Sequence, residues 1–345
     1  MGDRQPTIRD IAKELGLCYS TVSRALSSDP EASRRVAEKT RRRVRHKAEE
    51  MHYRPNVLAQ GMATGRTGTI GVLTYRSHWE APWHQVDQIL RTVERRGYQA
   101  LVAISRRRRW MCLHERALQI SQLLSRGIDG LLIEASGWEG EAEHIRGAVG
   151  DRALVATFGH PLQGLSGVAV DESGGFFEAT EHLIRLGHRR IGFIGTDWSR
   201  AVVGSSKGRG YLRAMRKHGL HPRRIPRKSF PSKPPQDLSH ELAAEFTALV
   251  CRCDPTAMGV CRGLGEAGLG VPEDVAVVGR GNTRPGAFMT PALTSVATPF
   301  KAVAEAAMEL MAELQEQRPP RHVLLEPRLV VRESCGSKGG GSEGP

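Results

Sequence analysis

Along residues 7–15, TIRDIAKEL, the apolar positions Ile8, Ile11, Ala12 and Leu15 recur at helical spacing, and Thr7 with Asp10 three residues on supplies a capping signal. Gly16 ends that helix and a second begins near Cys18, so two short helices meet at a tight glycine turn, the pattern of a helix-turn-helix. In the second helix the apolar stripe of Val22, Ala25 and Leu26 is thin, and Tyr19, Ser20, Thr21, Ser23 and Arg24 fill the rest. So polar a face suits a surface that is itself patterned with donors and acceptors. In a helix-turn-helix the second helix lies in the major groove, which makes Tyr19, Ser20 and Arg24 the candidate readers of base edges. A third helix over residues 37–52 sets Val36, Val44, Ala48 and Met51 on one side and Arg41, Arg42, Arg45 and Lys47 elsewhere. Together these predict a three-helix module with one small core and a basic surface.

Residues 53–66, YRPNVLAQGMATGR, read as a linker in which NVLAQGMA could form a helix too short to stand without a surface to fold on. From residue 69 the pattern changes to continuous apolar runs alternating with amphipathic stretches. Strands are expected at 69–75, 98–104, 130–135, 153–158, 167–171, 190–195, 256–261 (TAMGVC) and 275–279, with helices such as 174–188 between them. Repeated β-α units of this kind make parallel sheets covered on both faces. Their number predicts two doubly wound lobes with a cleft at the carboxyl ends of the strands. The expected domains are a helix-turn-helix unit at 1–52, a hinge at 53–68 and a core at 69–333. Within the core, one lobe takes 69–166 and 299–325, the other 167–298 and 326–333, and residues 334–345 form a flexible tail.

The 345 residues carry 50 Lys and Arg against 37 Asp and Glu, a net charge of +13 that favours polyanionic partners. Residues 1–66 hold 14 of those cations against 8 acids, about half of the excess in a fifth of the chain, which argues for a basic module there. The six cysteines have no C-x-x-C pairing and no histidine stands at ligand spacing from Cys251 and Cys253, so neither a disulfide framework nor a metal is expected. No cofactor is expected either. The absence of a long apolar run and of a signal-peptide core predicts a cytoplasmic protein with no membrane partner. There is no G-x-x-x-x-G-K-[ST] loop, G-x-S-x-G elbow or H-E-x-x-H pair, and GRTGTIG at 65–71 precedes a strand instead of following one. These absences weigh against an enzyme. A two-lobed small-molecule-binding protein or enzyme with a vestigial DNA-binding module stands as the alternative reading.

The order of these parts resembles the LacI family of bacterial transcription regulators over nearly the whole chain. TIRDIAKELGLCYSTVSRAL is similar to the family's helix-turn-helix, VAEKTRRRV to its third helix and YRPNVLAQGMATGRTGTIGVL to its hinge and first core strand. EHLIRLGHRRIGFIG, GVPEDVAVVG, TPALTSV and LVVRES match the regulatory core. The resemblance implies an all-α helix-turn-helix domain followed by a two-lobed, periplasmic-binding-protein-like α/β core. It further implies a homodimer on a pseudo-palindromic DNA operator, acting by default as a repressor. Thr7, Cys18, Tyr19, Ser20, Thr21, Ser23 and Arg24 fall in the expected DNA-binding surface. Thr40, Tyr53 and Asn56 match positions that meet the DNA backbone or hinge, Ala59 lies in the hinge-helix contact, and Met62 stands where the family has a minor-groove leucine wedge.

Departures from the family are concentrated at the caps and in the cleft. Cys18 replaces a capping Ser and Ala37 stands where another is common, while SSDPEASRR at 27–35 reads as a loop about four residues longer than usual. In the core, FGHP replaces a V-D-R-P-like run, Lys207 stands for an Arg, and GRGN replaces G-F-D-D. After TAMGVC the family's Asn-Asp pair and full helix look truncated by roughly ten residues, leaving a crossover near the minimum a parallel connection needs. Most acceptors for sugar hydroxyls are thereby lost, so binding of a neutral sugar in the family manner is not expected. Arg76, His160, Lys207, Arg262 and Arg280, with Asn282, are placed near strand ends, where they would meet an anionic effector such as a phosphorylated metabolite or else line a decayed pocket.

Overall fold

The cap written into Thr7 and Asp10 closes as a reciprocal box in the computed structural model, which describes residues 6–27, 30–54, 66–75, 80–105, 113–137, 140–150, 153–195, 206–225 and 236–336. Thr7 Oγ1 accepts from the Asp10 amide at 3.3 Å and the Asp10 carboxylate accepts from the Thr7 amide at 2.8 Å, fixing the start of α1 (Ile8–Leu15). Gly16 ends it at φ 66°, a left-handed conformation that glycine adopts without penalty, and α2 (Tyr19–Ala25) follows. Residues expected as a long loop instead contain a short helix, α3 (Pro30–Arg34), because proline is suited to the first helical turn and Arg34 pairs with Glu31 one turn away. Then comes α4 (Glu38–Glu50), with Ala37 at its N-cap making no side-chain bond. Ile11, Ala12, Val22, Ala25, Val36, Val44 and Ala48 form the closed core of this unit. Tyr53 packs against it, and its amide donates to the Ala48 carbonyl at 2.8 Å, so it belongs with the helices and not with the linker.

The chain divides into Met1–Thr67 and a second unit, Gly68–Pro345. That second unit is built on two six-stranded sheets. In chain order the first contains β1 (Thr69–Tyr75), α5 (Glu80–Arg95), β2 (Gln99–Ser105), α6 (Leu113–Leu124), β3 (Gly130–Glu134), α7 (Glu141–Val149), β4 (Leu154–Gly159) and β5 (Ser166–Val170). The chain then crosses through α8 (Glu172–Arg185) into the second sheet. There follow β6 (Ile191–Ile194), α9 (Ser206–Lys217), β7 (Arg223–Arg224), α10 (Gln236–Glu245), β8 (Ala248–Cys251), α11 (Asp254–Glu266), β9 (Ala276–Arg280), α12 (Arg284–Phe288) and β10 (Thr294–Ala297). Helix α13 (Phe300–Gln315) leads back to β11 (His322–Leu325) in the first sheet, and β12 (Arg328–Val330) returns to the second. The spatial orders are β11-β5-β4-β3-β1-β2 and β12-β10-β9-β8-β6-β7, parallel throughout except for β12 against β10. Near-continuous burial along β1, β3, β6 and β8 is the consequence of helices on both faces.

Four expectations are corrected. TAMGVC is not a strand: it lies inside α11, where Ala257, Val260, Cys261 and Leu264 are buried at helical spacing behind Pro255 in the first turn. The strand is the four-residue run ALVC just before it, and an apolar stretch so short does not reveal its period. The crossover from β8 to β9 therefore carries a thirteen-residue helix and is not truncated. Residues 167–170, expected in the second lobe, belong to the first, since β5 pairs in parallel with β4 from Ala156↔Ser166 onward, so the lobes divide after Val170. The tail begins later than residue 334, since Glu333–Cys335 forms a turn of 3-10 helix with Ser334 and Cys335 buried.

Candidate functional site

The thin apolar stripe of α2 is enough to seal it onto the helical core: Val22 and Ala25 are fully buried. Its other face is left outward, with Tyr19 55% exposed and Ser20 and Arg24 also exposed, while Thr21 and Ser23 are half-buried. Arg24 makes no ion pair or side-chain hydrogen bond among the described residues, so its guanidinium is available to a partner outside the chain. Cys18 holds the N-cap position without bonding the backbone as a cap, and its sulfur instead meets the hydroxyls of Ser20 at 3.3 Å and Thr21 at 2.9 Å. Those two hydroxyls lower the exposed thiol from 9.0 to about 7. Thr7 spends its side chain on Asp10, and Thr40 is half-buried in the first turn of α4. Exposed Arg42, Arg43 and Arg45 extend the basic surface along α4. Burial raises the Tyr53 phenol, with Tyr19 as the second cause. Asn56, Ala59 and Met62 lie outside the described residues, as does Arg76.

In the second unit, the carboxyl ends of the strands collect a different kind of chemistry. Arg280 at the end of β9 holds the Glu172 carboxylate with two nitrogens, one contact at 3.2 Å, and Lys207 in the first turn of α9 stands 3.8 Å from the same carboxylate. Lys207 also donates to the Arg252 carbonyl at 3.3 Å. Burial lowers the Lys207 ammonium to about 8, against the pull of Glu172. Burial pushes the Glu172 carboxyl up, but Arg280, Lys207 and His160 outweigh it and hold it below the usual carboxylate range. Two of the expected cleft cations, Lys207 and Arg280, thus gather on one acid that sequence reasoning missed. Arg262 does not join them: it is on α11, 73% exposed, and pairs with Glu266 at 2.6 Å because its expected strand is a helix.

Two further polar groups of the second lobe, Asn282 and Asp254, are also engaged. Asn282, at φ 50°, accepts from Arg332 at 2.6 Å. Asp254, fully buried, accepts from the Thr283 amide at 2.7 Å, the Thr283 hydroxyl at 3.0 Å and the Ser295 hydroxyl at 2.6 Å. At the strand ends of the first lobe, buried Arg116 pairs with buried Glu141 and with the Tyr75 hydroxyl, and donates to the Glu134 carbonyl at 2.9 Å. Glu141 in turn accepts from the amides of Ser136 and, at 2.7 Å, Gly137, and the Glu134 carboxylate accepts from Thr74 at 2.6 Å. Glu172, Asp254 and Glu134 could have been found by one signal, an acid at the end of an apolar strand; Arg116 and Arg332 gave none. Among the described residues no group of three or more His, Cys, Asp or Glu side chains could hold a metal ion, and no helix is long and apolar enough to cross a membrane.

Comparison with known proteins adds to this geometry. Residues 7–56 match the model of the lacI family of bacterial regulatory proteins, and residues 180–335 match the periplasmic binding protein-like domain. The chain joins a DNA-binding module of the lacI family to a periplasmic-binding-protein-like domain. Among its relatives, the HTH-type transcriptional repressor PurR of Pectobacterium atrosepticum is 29% identical over 95% of this chain and 96% of the relative. The lac repressor dimer bound to operator and the anti-inducer ONPF has the same fold, with a TM-score of 0.80 at 23% identity over 96% of this chain and 99% of that one. The transcriptional regulator CelR in complex with cellobiose has a TM-score of 0.65 at 25% identity, covering 95% and 99% of the two chains. In this DNA-binding transcriptional regulator an acid, Asp254, opens α11 three residues after the end of β8.

Proposed function

We propose that this LacI-family regulator is a repressor that binds a pseudo-palindromic operator as a homodimer, with α2 of each protomer in a major groove. The observation that carries the reading is the outward face of α2, where Tyr19, Ser20 and an Arg24 without a partner among the described residues stand exposed over a closed core. The relatives named as repressors and the lac repressor described as a dimer on its operator support it. Base contacts from α2 supply selectivity, and phosphate contacts from the basic helices supply salt-dependent affinity. Sedimentation of the protein with and without a duplex selected by it tests the assembly: two protomers per duplex are expected, and one protomer per duplex contradicts the dimer.

The cleft departs from sugar recognition in this reading. Asp254 and Asn282 already accept hydrogen bonds from the protein, and Glu172, at the start of α8, is claimed by Arg280 and Lys207. An anionic effector instead competes with Glu172 for those two cations. Lys207 must be protonated to hold it, so affinity falls as pH rises through about 8. A thermal-shift titration with phosphorylated metabolites and with neutral sugars separates the alternatives. Stabilisation by the former alone is expected; saturable stabilisation by a neutral sugar contradicts it.

A further inference from the structure

The largest concentration of charge lies outside the helix-turn-helix unit. Residues 182–235 hold 14 Lys and Arg against a single acid, Asp197, which equals the net excess of the whole chain. In its described part, Arg209, Arg213, Arg216 and Lys217 fall on one face of α9, and all four are exposed. Helix α8 lies alongside, drawn close at Gly210, where a side chain would meet the Phe177 amide nitrogen at 2.9 Å. The Arg213 guanidinium lies 4.3 Å from the centre of the Phe177 ring, and Lys217 reaches Glu181 at 3.2 Å. Exposed Arg185 ends α8 at the same end of the pair. Crossover helices run against their strands, so these last turns are turned away from the carboxyl-end cleft.

Helix termini explain part of this and leave part unexplained. Cations in a last turn complement the helix dipole, which suits Arg185, Arg216 and Lys217. Arg209 sits near the start of α9, where the dipole disfavours a cation. Among the described residues Arg185, Arg209 and Arg216 have neither an ion pair nor a side-chain hydrogen bond.

We propose that this face of the second lobe holds a separate segment of double-stranded nucleic acid by its phosphates, without reading bases. A protein partner would need an apolar centre, and the one large apolar side chain exposed among the described residues of this segment is Leu186, at 41%. A duplex needs none: it presents a charge about every 1.7 Å, and cations a helical turn apart, with Arg213 ordered on an aromatic ring, match such a ladder. A protein with α2 on one duplex and this face on another bridges the two.

The test uses the full chain. Immobilised duplex of random sequence is saturated with protein, and capture of a second, fluorescent duplex is measured against salt, for wild type and for R185E/R209E/R216E. Wild type is expected to capture the second duplex. The variant, with an unchanged melting temperature, is expected to lose at least about tenfold in capture, with a log-log salt slope shallower by about 0.9 for each phosphate contact removed. If the triple variant melts early, R209Q/R216Q on α9 alone replaces it, with a proportionally smaller loss. Unchanged capture and slope in a folded variant overturn the proposal. So does competition by polyglutamate as strong as by duplex of equal charge, since that outcome assigns the face to an acidic protein.

Discussion

The outer face of α2 and the strand ends of the core are both crowded with polar side chains, yet they are satisfied in opposite ways. On α2, Tyr19 and Arg24 point outward and Arg24 has no partner among the described residues. In the core, Arg116 is answered by Glu141, Arg280 and Lys207 by Glu172, and Asp254 by Thr283 and Ser295. Polar groups that the fold itself satisfies hold the fold together. Those left open at a surface, on a core already closed, serve an outside partner.

Substitutions should therefore separate stability from binding. The largest effect is expected for Glu141→Ala, which strands the Arg116 charge in a buried site and should cost about 3–5 kcal/mol in denaturant unfolding. A cost near zero would mean that the first-lobe network is not structural. Next, Arg24→Ala should leave the melting temperature unchanged and cost about 1–3 kcal/mol in affinity for a selected site while relaxing one of its positions. Equal loss on selected and random DNA would reduce Arg24 to a phosphate contact. Glu172→Gln keeps an acceptor but removes the charge, and about 1 kcal/mol of stability is expected to go with it. Tighter anion binding should accompany that change, read by calorimetry, and weaker binding would contradict the competition. The smallest effect is kinetic: alkylation of Cys18 should reach half its limiting rate at about pH 7, and a midpoint near the ordinary thiol value of 9.0 would show that Ser20 and Thr21 do not stabilise the thiolate.

Most of the fold was legible because its signals are local. The cap at Thr7, the stop at Gly16 and the runs that became β1 to β6 and β9 each declare themselves within a few residues. The failures share a cause. ALVC is too short to show a period, so the neighbouring TAMGVC was mistaken for the strand, and Arg262 and the supposed truncation followed from that one error. Of the site, α2 could be read from composition on a helical face. The pairings of Arg116 with Glu141 and Arg280 with Glu172 join residues 25 and 108 positions apart, and only the packing of the sheets brings them together.

Selection of random duplex DNA by the full-length protein, at about physiological ionic strength and followed by sequencing, tests the central claim most directly. A two-fold-symmetric consensus whose half-sites degrade on Arg24→Ala is the expected result. Recovery of no consensus by a folded dimer would contradict it, and would show that the open polar face of α2 does not by itself read a sequence.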